Sequence, residues 1–143
     1  MEIRRIEDGR GLEAALSVRR AVFVDEQGVP EDRELDGLDE DAIHFVACDG
    51  DEAIGVARLR AYDNGCATGK IERVAVLENR RGDGIGRELM AAAEETAAGV
   101  GYDELVLHAQ APVVAFYRRL GYRTEGEEFE DAGIPHRSMR KRI

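Results

Sequence analysis

Alternating apolar and polar residues along the chain predict a sheet built from short strands. The predicted strands share β-branched or alternating apolar positions and cover residues 1–6, 42–48, 53–62, 69–77, 104–110, 122–129 and 136–142. The first of them is short and mixed, which is typical of an edge strand. Asp49-Gly50-Asp51 predicts a hairpin between the second and third strands, and Asp63-Asn64-Gly65 predicts the turn that follows.

Three further segments show the spacing of apolar residues that is typical of helices. These predicted helices cover residues 11–24, residues 85 to about 98, and a short stretch from Pro112 to Gly121. Gly99 and Gly101 are expected to end the second helix, and residues 27–41 read as an acidic loop. The order β-α-β-β-β-α-β-α-β-β predicts an α/β (α+β) fold with a central, mostly antiparallel mixed sheet flanked by helices.

The charge balance excludes one class of partner. The chain carries 30 acidic and 20 basic residues, a formal net charge of −10. Nucleic-acid phosphates demand a basic surface, so no nucleic-acid partner is expected. Lysine occurs only at positions 70 and 141, and this combination of many carboxylates with few lysines is typical of salt-adapted proteins.

Length and apolar runs set the expected class and location. A chain of 143 residues is long enough for one domain with one core. No apolar run reaches transmembrane length and no signal-peptide pattern opens the chain, so a cytoplasmic protein without a membrane partner is expected. Cys48 and Cys66 are too few and too far apart for a metal site or a disulfide framework. Cys48 is expected to pack in a strand as a small hydrophobe.

The segment with the most chemical information is a strand, a glycine-rich turn and a helix, at residues 70–90. Glycines let the backbone approach an oxyanion, and the first N–H groups of a helix carry the positive end of its dipole, so this arrangement is suited to phosphate. The glycines at 82, 84 and 86 do not match the dinucleotide pattern G-x-G-x-x-G, and Gly86-Arg87-Glu88 fails the G-K-[ST] pattern. What stands here is R-x-x-G-x-G, from Arg81 to Gly86, after R-V-A-V at 73–76.

This segment resembles the pyrophosphate loop of the GNAT acetyltransferase superfamily. A second match, A-P-V-V-A-F-Y-R-R-L-G-Y at 111–122, resembles the A-x-x-F-Y-x-x-x-G-[FY] segment of the same family. The stretch from Arg20 to Pro30, the acidic positions after it and Gly133-Ile134-Pro135-His136 resemble the ElaA-like branch. The resemblance therefore covers nearly the whole chain and implies a single GNAT domain over residues 1–143.

The resemblance implies acetyl-CoA as the cofactor and an N-acetyltransferase that works by direct attack of a primary amine in a ternary complex. The residues that it implies for holding the cofactor lie on the strand, the glycine turn and the later segment: Val74, Ala75, Val76, Arg81, Gly82, Asp83, Gly84, Ile85, Gly86, Arg87 and Tyr117. Amides of the strand are expected to face the thioester oxygen.

Two residues are predicted to carry the proton transfers. Tyr117 is expected to protonate the thiolate leaving group, since a phenol can donate to a developing thiolate of lower pKa. Glu72 is expected on the same face of its strand as Val74 and Val76, with a pKa raised by apolar neighbours, and is a candidate general base. Glu26, His108 and His136 are the other candidates for the base.

The acceptor side is implied by the family to lie at the first helix and the loop after it. Phe23, Glu26, His108 and His136 are predicted to contact the acceptor, which is a small-molecule or peptide amine. The acidic loop is expected to attract a cationic amine, and a homodimer is a further expectation from the family.

Two alternatives stay open. The pattern R-x-x-[VF]-F … E-x-D-x-x-D also resembles acyl-homoserine-lactone synthases, with Arg20, Phe23, Glu34, Asp36 and Asp39 as the matching residues and Arg58 as a further one. The other alternative is a CoA-binding regulatory protein that has no catalytic activity.

Overall fold

Seven strands form one mixed sheet in the computed structural model, which describes residues 1–6, 11–62 and 67–143. The predicted turn at 63–65 and Cys66 lie outside the described residues. The strands are β1 (Glu2–Ile6), β2 (Ile43–Asp49), β3 (Glu52–Ala61), β4 (Thr68–Val76), β5 (Glu104–Gln110), β6 (Arg123–Asp131) and β7 (Ile134–Arg142). They lie in the order β1-β2-β3-β4-β5-β7-β6, and only β4 and β5 pair in parallel. The predicted fold class is confirmed.

The helices flank this sheet. They are α1 (Leu12–Arg19), which continues as a π-helical stretch over Arg20–Glu26, α2 (Glu31–Glu34), α3 (Ile85–Val100) and α4 (Val114–Arg119). The sequence predicts loop at α2, since the four residues of this helix are too few for a visible period. Gly99 lies inside α3, and Gly101, with φ of 112°, ends it. Within the described ranges no helix is long and apolar enough to cross a membrane.

The core lies on both faces of the sheet because helices cover both. One cluster joins Phe45, Leu59 and Ile71 of the sheet to Leu89 of α3, and the other joins Val18 of α1 to the opposite face. Cys48 is 6% exposed within the second cluster, which confirms that it packs as a small hydrophobe.

The parallel pair β4–β5 opens along its length. Their register runs only from Thr68 opposite Glu104 to Ile71 opposite Leu107. The later residues of β4 stay paired with β3, while those of β5 stay paired with β7. The two strands therefore part at their carboxyl ends, which leaves a gap in the middle of the sheet.

A β-bulge in β4 begins where the strands part. Val56 pairs with Ala75 and Arg58 with Glu72, so β4 has one residue more than β3 over this interval. Arg73 adopts φ of +56°, in the left-handed region that side chains other than glycine rarely enter. As a result, Ile71 packs in the α3 cluster but Ala75 packs in the α1 cluster, although strict alternation would place both on one face.

Candidate active site

A cleft of about 1020 Å³ occupies the gap between β4 and β5. Predicted site residues from both strands, the glycine turn, α4 and the β6–β7 hairpin line it: Phe23, Glu72, Val74, Ala75, Val76, Arg81, Gly82, Gly84, Ile85, Gly86, Arg87, His108, Tyr117 and His136. Asp83 and Glu26 are the predicted site residues that do not line it. The volume is at the upper end of the usual range for ligand pockets, so one cleft has room for two ligands.

The glycine turn meets the cleft at the start of α3. Gly82 and Gly84 have φ of 92° and 80°, which glycine adopts without strain. The first N–H groups of a helix have no partner within the helix, and no side chain caps those of α3. A Cβ atom at Gly86 would lie 3.4 Å from the ring of Phe116. The turn therefore presents backbone N–H groups and the helix dipole to the cleft without side chains in the way.

Arg81 joins this turn to two other elements. Its Nε donates to the Val76 carbonyl at 2.9 Å, and its two terminal nitrogens donate to Glu26 at 2.8 and 2.7 Å. The hydrogen bond from Arg81 holds the pKa of Glu26 below its ordinary value. Glu26 is therefore an ionised partner of Arg81, which does not favour it as the general base.

The end of β4 turns backbone groups toward the cleft. Leu77 donates its N–H to the Ile54 carbonyl of β3 at 2.9 Å. Adjacent residues of a strand direct their backbone groups to opposite edges, so the N–H and carbonyl of Val76 lie on the edge of β4 that faces the cleft. The contact between Val76 and Arg81 on that edge agrees with this direction. Val74 and Val76 pack beside the α3 cluster.

Tyr117 lies in the cleft on α4. It is 8% exposed, and its ring makes edge-to-face contacts with Phe116 and Tyr122 at centroid distances of 4.9 and 6.1 Å. Burial raises the pKa of the phenol above its ordinary value. Tyr117 thus keeps its proton at neutral pH.

Both expectations for Glu72 are wrong. Because of the bulge at Arg73, Glu72 faces the side of α1 with Arg58, opposite to the face of Val74 and Val76. Its carboxylate pairs with Arg60, with Arg58 at 3.2 Å and with Lys70 at 3.6 Å. Burial alone would raise the pKa of Glu72, but these three cations hold it below its ordinary value. Glu72 is therefore a poor proton acceptor.

The two predicted histidines share an aromatic contact. Phe129 packs edge-to-face against His108 at 5.1 Å and stacks on His136 at 5.9 Å. His136 contacts the Ile134 carbonyl through Nδ1 at 2.7 Å. Burial, followed by the charge of Lys70, lowers the pKa of His108, so its imidazole is neutral at pH 7.

Three carboxylates of the acidic loop pair with arginines of other elements, which does not favour them as the groups that attract a cationic amine. Glu34 pairs with Arg19 at 3.0 Å and with Arg73 at 2.6 Å. Asp36 and Asp39 pair with Arg58 at 2.8 and 2.9 Å. Burial would raise the pKa of each aspartate, but the arginines hold both below their ordinary values.

The arginine of this cluster is Arg19, and not Arg20 as the synthase pattern suggested. Arg19 is fully buried and contacts both Glu34 and Asp39, whereas Arg20 is exposed and pairs with Glu31. Counted back from Phe23, the pattern R-x-x-[VF]-F begins at Arg19, so the spacing was the available sign and the match to Arg20 was wrong by one position.

Sequence reasoning missed several residues of the cleft. Gln27 and Gln110 exchange side-chain hydrogen bonds of 2.9 and 3.5 Å, which join the end of the π-helical stretch to the end of β5. Gln27 lies in the stretch from Arg20 to Pro30 that resembles the ElaA-like branch, whereas Gln110 stands in no motif. Lys70 also lines the cleft. Lysine is rare in this sequence, with one other at position 141, and this rarity was the signal that could have singled out Lys70.

Comparison with known proteins agrees with this geometry. Residues 13–143 match the family described as Acetyltransferase (GNAT) domain. The "Uncharacterized N-acetyltransferase YjcF" of Bacillus subtilis (strain 168) is 44% identical over 131 residues, 91% of each chain. The crystal structure of Escherichia coli ElaA superposes with a TM-score of 0.88 at 33% identity and covers 98% of each chain. The chain therefore belongs to the GNAT acetyltransferase family, and its likeness to ElaA is confirmed.

A more distant likeness bears on the alternative enzyme. The structure of a CoA-dependent acyl-homoserine lactone synthase, BjaI, with SAM and isopentyl-CoA has a TM-score of 0.79 over 99% of this chain and 82% of that one. The two chains are 20% identical, so the likeness shows a shared fold alone.

Proposed function

We propose that this protein is an N-acetyltransferase that moves an acetyl group from acetyl-CoA to a primary amine by direct attack in a ternary complex. The observation that carries the proposal is the convergence of three features in one cleft. These are the parted strands β4 and β5, the uncapped start of α3 and the buried phenol of Tyr117.

The residues present fit an acyl-CoA, which members of the GNAT family generally use. The N–H groups from Gly82 to Arg87 would hold the pyrophosphate, because they are backbone donors at a helix start with no side-chain cap. The cleft edge of β4 at Val74 and Val76 would pair with the amides of the pantetheine arm. Acetyl-CoA would supply an activated acetyl group on a thiol leaving group.

The chain's own residues would then handle charge and protons. Backbone N–H groups of β4 that face the cleft polarise a carbonyl placed against them, in the manner of an oxyanion hole. Tyr117 holds a proton ready for a leaving thiolate. His108, neutral and in the cleft, replaces Glu72 as the group that accepts a proton from the amine.

The test begins with calorimetric titration of the folded protein with acetyl-CoA, at low and at molar potassium chloride. Saturable binding near one equivalent, followed by thiol release that depends on an added amine, is the expected result. A folded protein that binds no acetyl-CoA would contradict the proposal. Binding without amine-dependent thiol release would favour the regulatory alternative, and release that depends on SAM alone would favour the synthase.

Replacing Gly84 with valine tests the glycine turn. The side chain would be strained at φ of +80°, so we expect the turn to shift at the pyrophosphate site. Its Cβ atom would also lie 3.3 Å from the end of the flexible Arg87 side chain, which can move aside. We expect the affinity for acetyl-CoA to fall by about tenfold or more, since a tenfold change corresponds to about 1.4 kcal/mol. The measurement is the Kd from calorimetry.

Gly50→Val is the matched control for this substitution. Gly50 has φ of +61° in the β2–β3 hairpin, and a Cβ atom added there would have no neighbour within 4 Å. The backbone strain is therefore similar but lies away from the cleft. This variant should lower stability and leave the Kd unchanged. Equal Kd values for the Gly84 variant and the parent would show that the glycine turn does not hold the cofactor.

A further inference from the structure

The ion pairs beside the cleft form one connected cluster on the α1 side of the sheet. Its members are linked by contacts of less than 4 Å: Arg19, Glu34, Asp36, Asp39, His44, Arg58, Arg60, Lys70, Glu72 and Arg73. Among the described residues it therefore contains five arginine or lysine cations and four carboxylates. Burial lowers the pKa of His44, so this histidine adds no charge at pH 7.

The cations of this cluster differ in the number of carboxylates that they contact. Arg19, Arg58 and Arg73 each contact two or more carboxylates, at distances from 2.6 to 3.2 Å. Arg60 and Lys70 both form ion pairs with the Glu72 carboxylate, which Arg58 also contacts. The Glu72 carboxylate is thus shared by three cations. Its contact with Lys70, at 3.6 Å, is the longest of the three.

Of the three cations that contact Glu72, Lys70 is the one that lines the cleft. It lines the cleft although its side chain is only 14% exposed, whereas Arg58 and Arg60 do not line it. Burial lowers the pKa of Lys70, an effect that Glu72 opposes and Arg60 reinforces. The charge of Lys70 also contributes to the lowered pKa of His108. Lys70 is therefore a cation in the cleft wall whose carboxylate partner, Glu72, is shared with two arginines.

We propose that the acceptor is an amine that also carries an anionic group, a carboxylate or a phosphate, and that Lys70 binds this group. The inference rests on the proposed acetyltransferase function and names the substrate class. An anion beside Lys70 supplies the negative charge that the cluster lacks and gives a largely buried ammonium a charge-assisted hydrogen bond. A purely cationic acceptor, such as a polyamine, would instead place a second cation beside the Lys70 ammonium.

The experiment compares acceptors in matched pairs. An α-amino acid is compared with the amine left by its decarboxylation, and O-phosphoethanolamine with ethanolamine. We expect kcat/KM of the parent protein to be higher for the anionic member of at least one pair by about tenfold to a hundredfold, the usual worth of a hydrogen bond to a charged group. The pair that shows the difference identifies carboxylate or phosphate as the recognised anion.

Substitution of Lys70 tests whether this side chain causes the preference for the anionic amine. Lys70→Gln should raise the KM for the anionic amine and so remove the preference, while the Kd of acetyl-CoA stays unchanged. Lys70→Arg should keep the preference for the anionic amine. Lys141→Gln is the matched control, because Lys141 is the other lysine and bonds to Glu94 away from the cleft. Calorimetric titration of the anionic amine into CoA-saturated protein gives a second readout that does not depend on turnover.

The outcomes separate this inference from the function on which it rests. Acetylation of both members of each pair at similar kcat/KM, or faster acetylation of the neutral ones, would overturn the anionic acceptor and leave the acetyltransferase intact. A preference that survives Lys70→Gln would overturn the role of Lys70. Absence of thiol release with every amine, despite acetyl-CoA binding, would overturn the proposed function and this inference together.

Discussion

Replacing Glu34 with alanine is expected to lower the free energy of unfolding by about 3–5 kcal/mol, the usual cost of removing one partner from a buried ion pair. Glu34 is 4% exposed and contacts Arg19, which is fully buried, and Arg73. Without it, Asp39 is the charged partner that Arg19 keeps among the residues that the structure describes. Urea unfolding followed by circular dichroism measures the change, which should appear as a lower midpoint with an unchanged m-value.

Glu31→Ala is the control for this prediction. Glu31 lies on the same short helix, α2, but it and its partner Arg20 are more than half exposed. Exposed ion pairs contribute about 0–1 kcal/mol, so this variant should unfold close to the parent. A Glu34 variant that matched the Glu31 variant would show that the buried cluster does not stabilise the fold.

The same substitution should also affect the cleft, because the cluster includes the bulge of β4. Arg73, at φ of +56°, donates to the Glu34 carbonyl at 3.0 Å and pairs with both Glu34 and Asp36. A left-handed conformation costs a residue with a Cβ atom on the order of 1 kcal/mol or more, and it persists only where the surroundings hold it. We therefore expect the Glu34 variant to bind acetyl-CoA more weakly than the parent.

The strands and the large helices were predictable because their signals are local. Short runs rich in apolar residues give β2, β3 and β5, and the glycines of the turn at 82–86 give the start of α3. These features depend on residues that are neighbours in the chain, so a single sequence is enough to find them.

The position of Glu72 was not predictable in this way. A period of two places it with Val74 and Val76 only if β4 is regular, and nothing about arginine at position 73 predicts a positive φ. The bulge is held by Glu34 and Asp36, which lie 39 and 37 positions earlier in the chain. A tertiary contact thus overrode the local period, and one inserted residue moved a predicted base to the opposite face.

The pairing of the acidic loop was not predictable for a related reason. Carboxylates at 34, 36 and 39 in a chain with 30 acidic residues resemble a solvated surface. Their arginine partners come from α1, β3 and β4, so the pairing exists only in the folded protein. Composition gives the net charge of the chain but not which of its carboxylates are paired.

Replacing Tyr117 with phenylalanine is expected to lower kcat by roughly a hundredfold, the lower end of what a positioned proton donor contributes. The phenol lies in the cleft and its pKa is raised. Tyr117 therefore keeps its proton at the pH values at which an amine is acetylated. Phenylalanine keeps the ring and its edge-to-face contacts with Phe116 and Tyr122. The Kd of acetyl-CoA should therefore change little, and the loss should appear in turnover.

Tyr122→Phe separates proton donation from the general effect of removing a buried hydroxyl. Tyr122 is 1% exposed, its ring lies 6.1 Å from that of Tyr117, and its hydroxyl donates to Glu94 at 2.7 Å instead of facing the cleft. This variant should lose about 1 kcal/mol or more of stability and keep its turnover. If Tyr117→Phe also kept its turnover, or if both variants lost it equally, the leaving group would take its proton from another source, and Tyr117 would be a packing residue of α4.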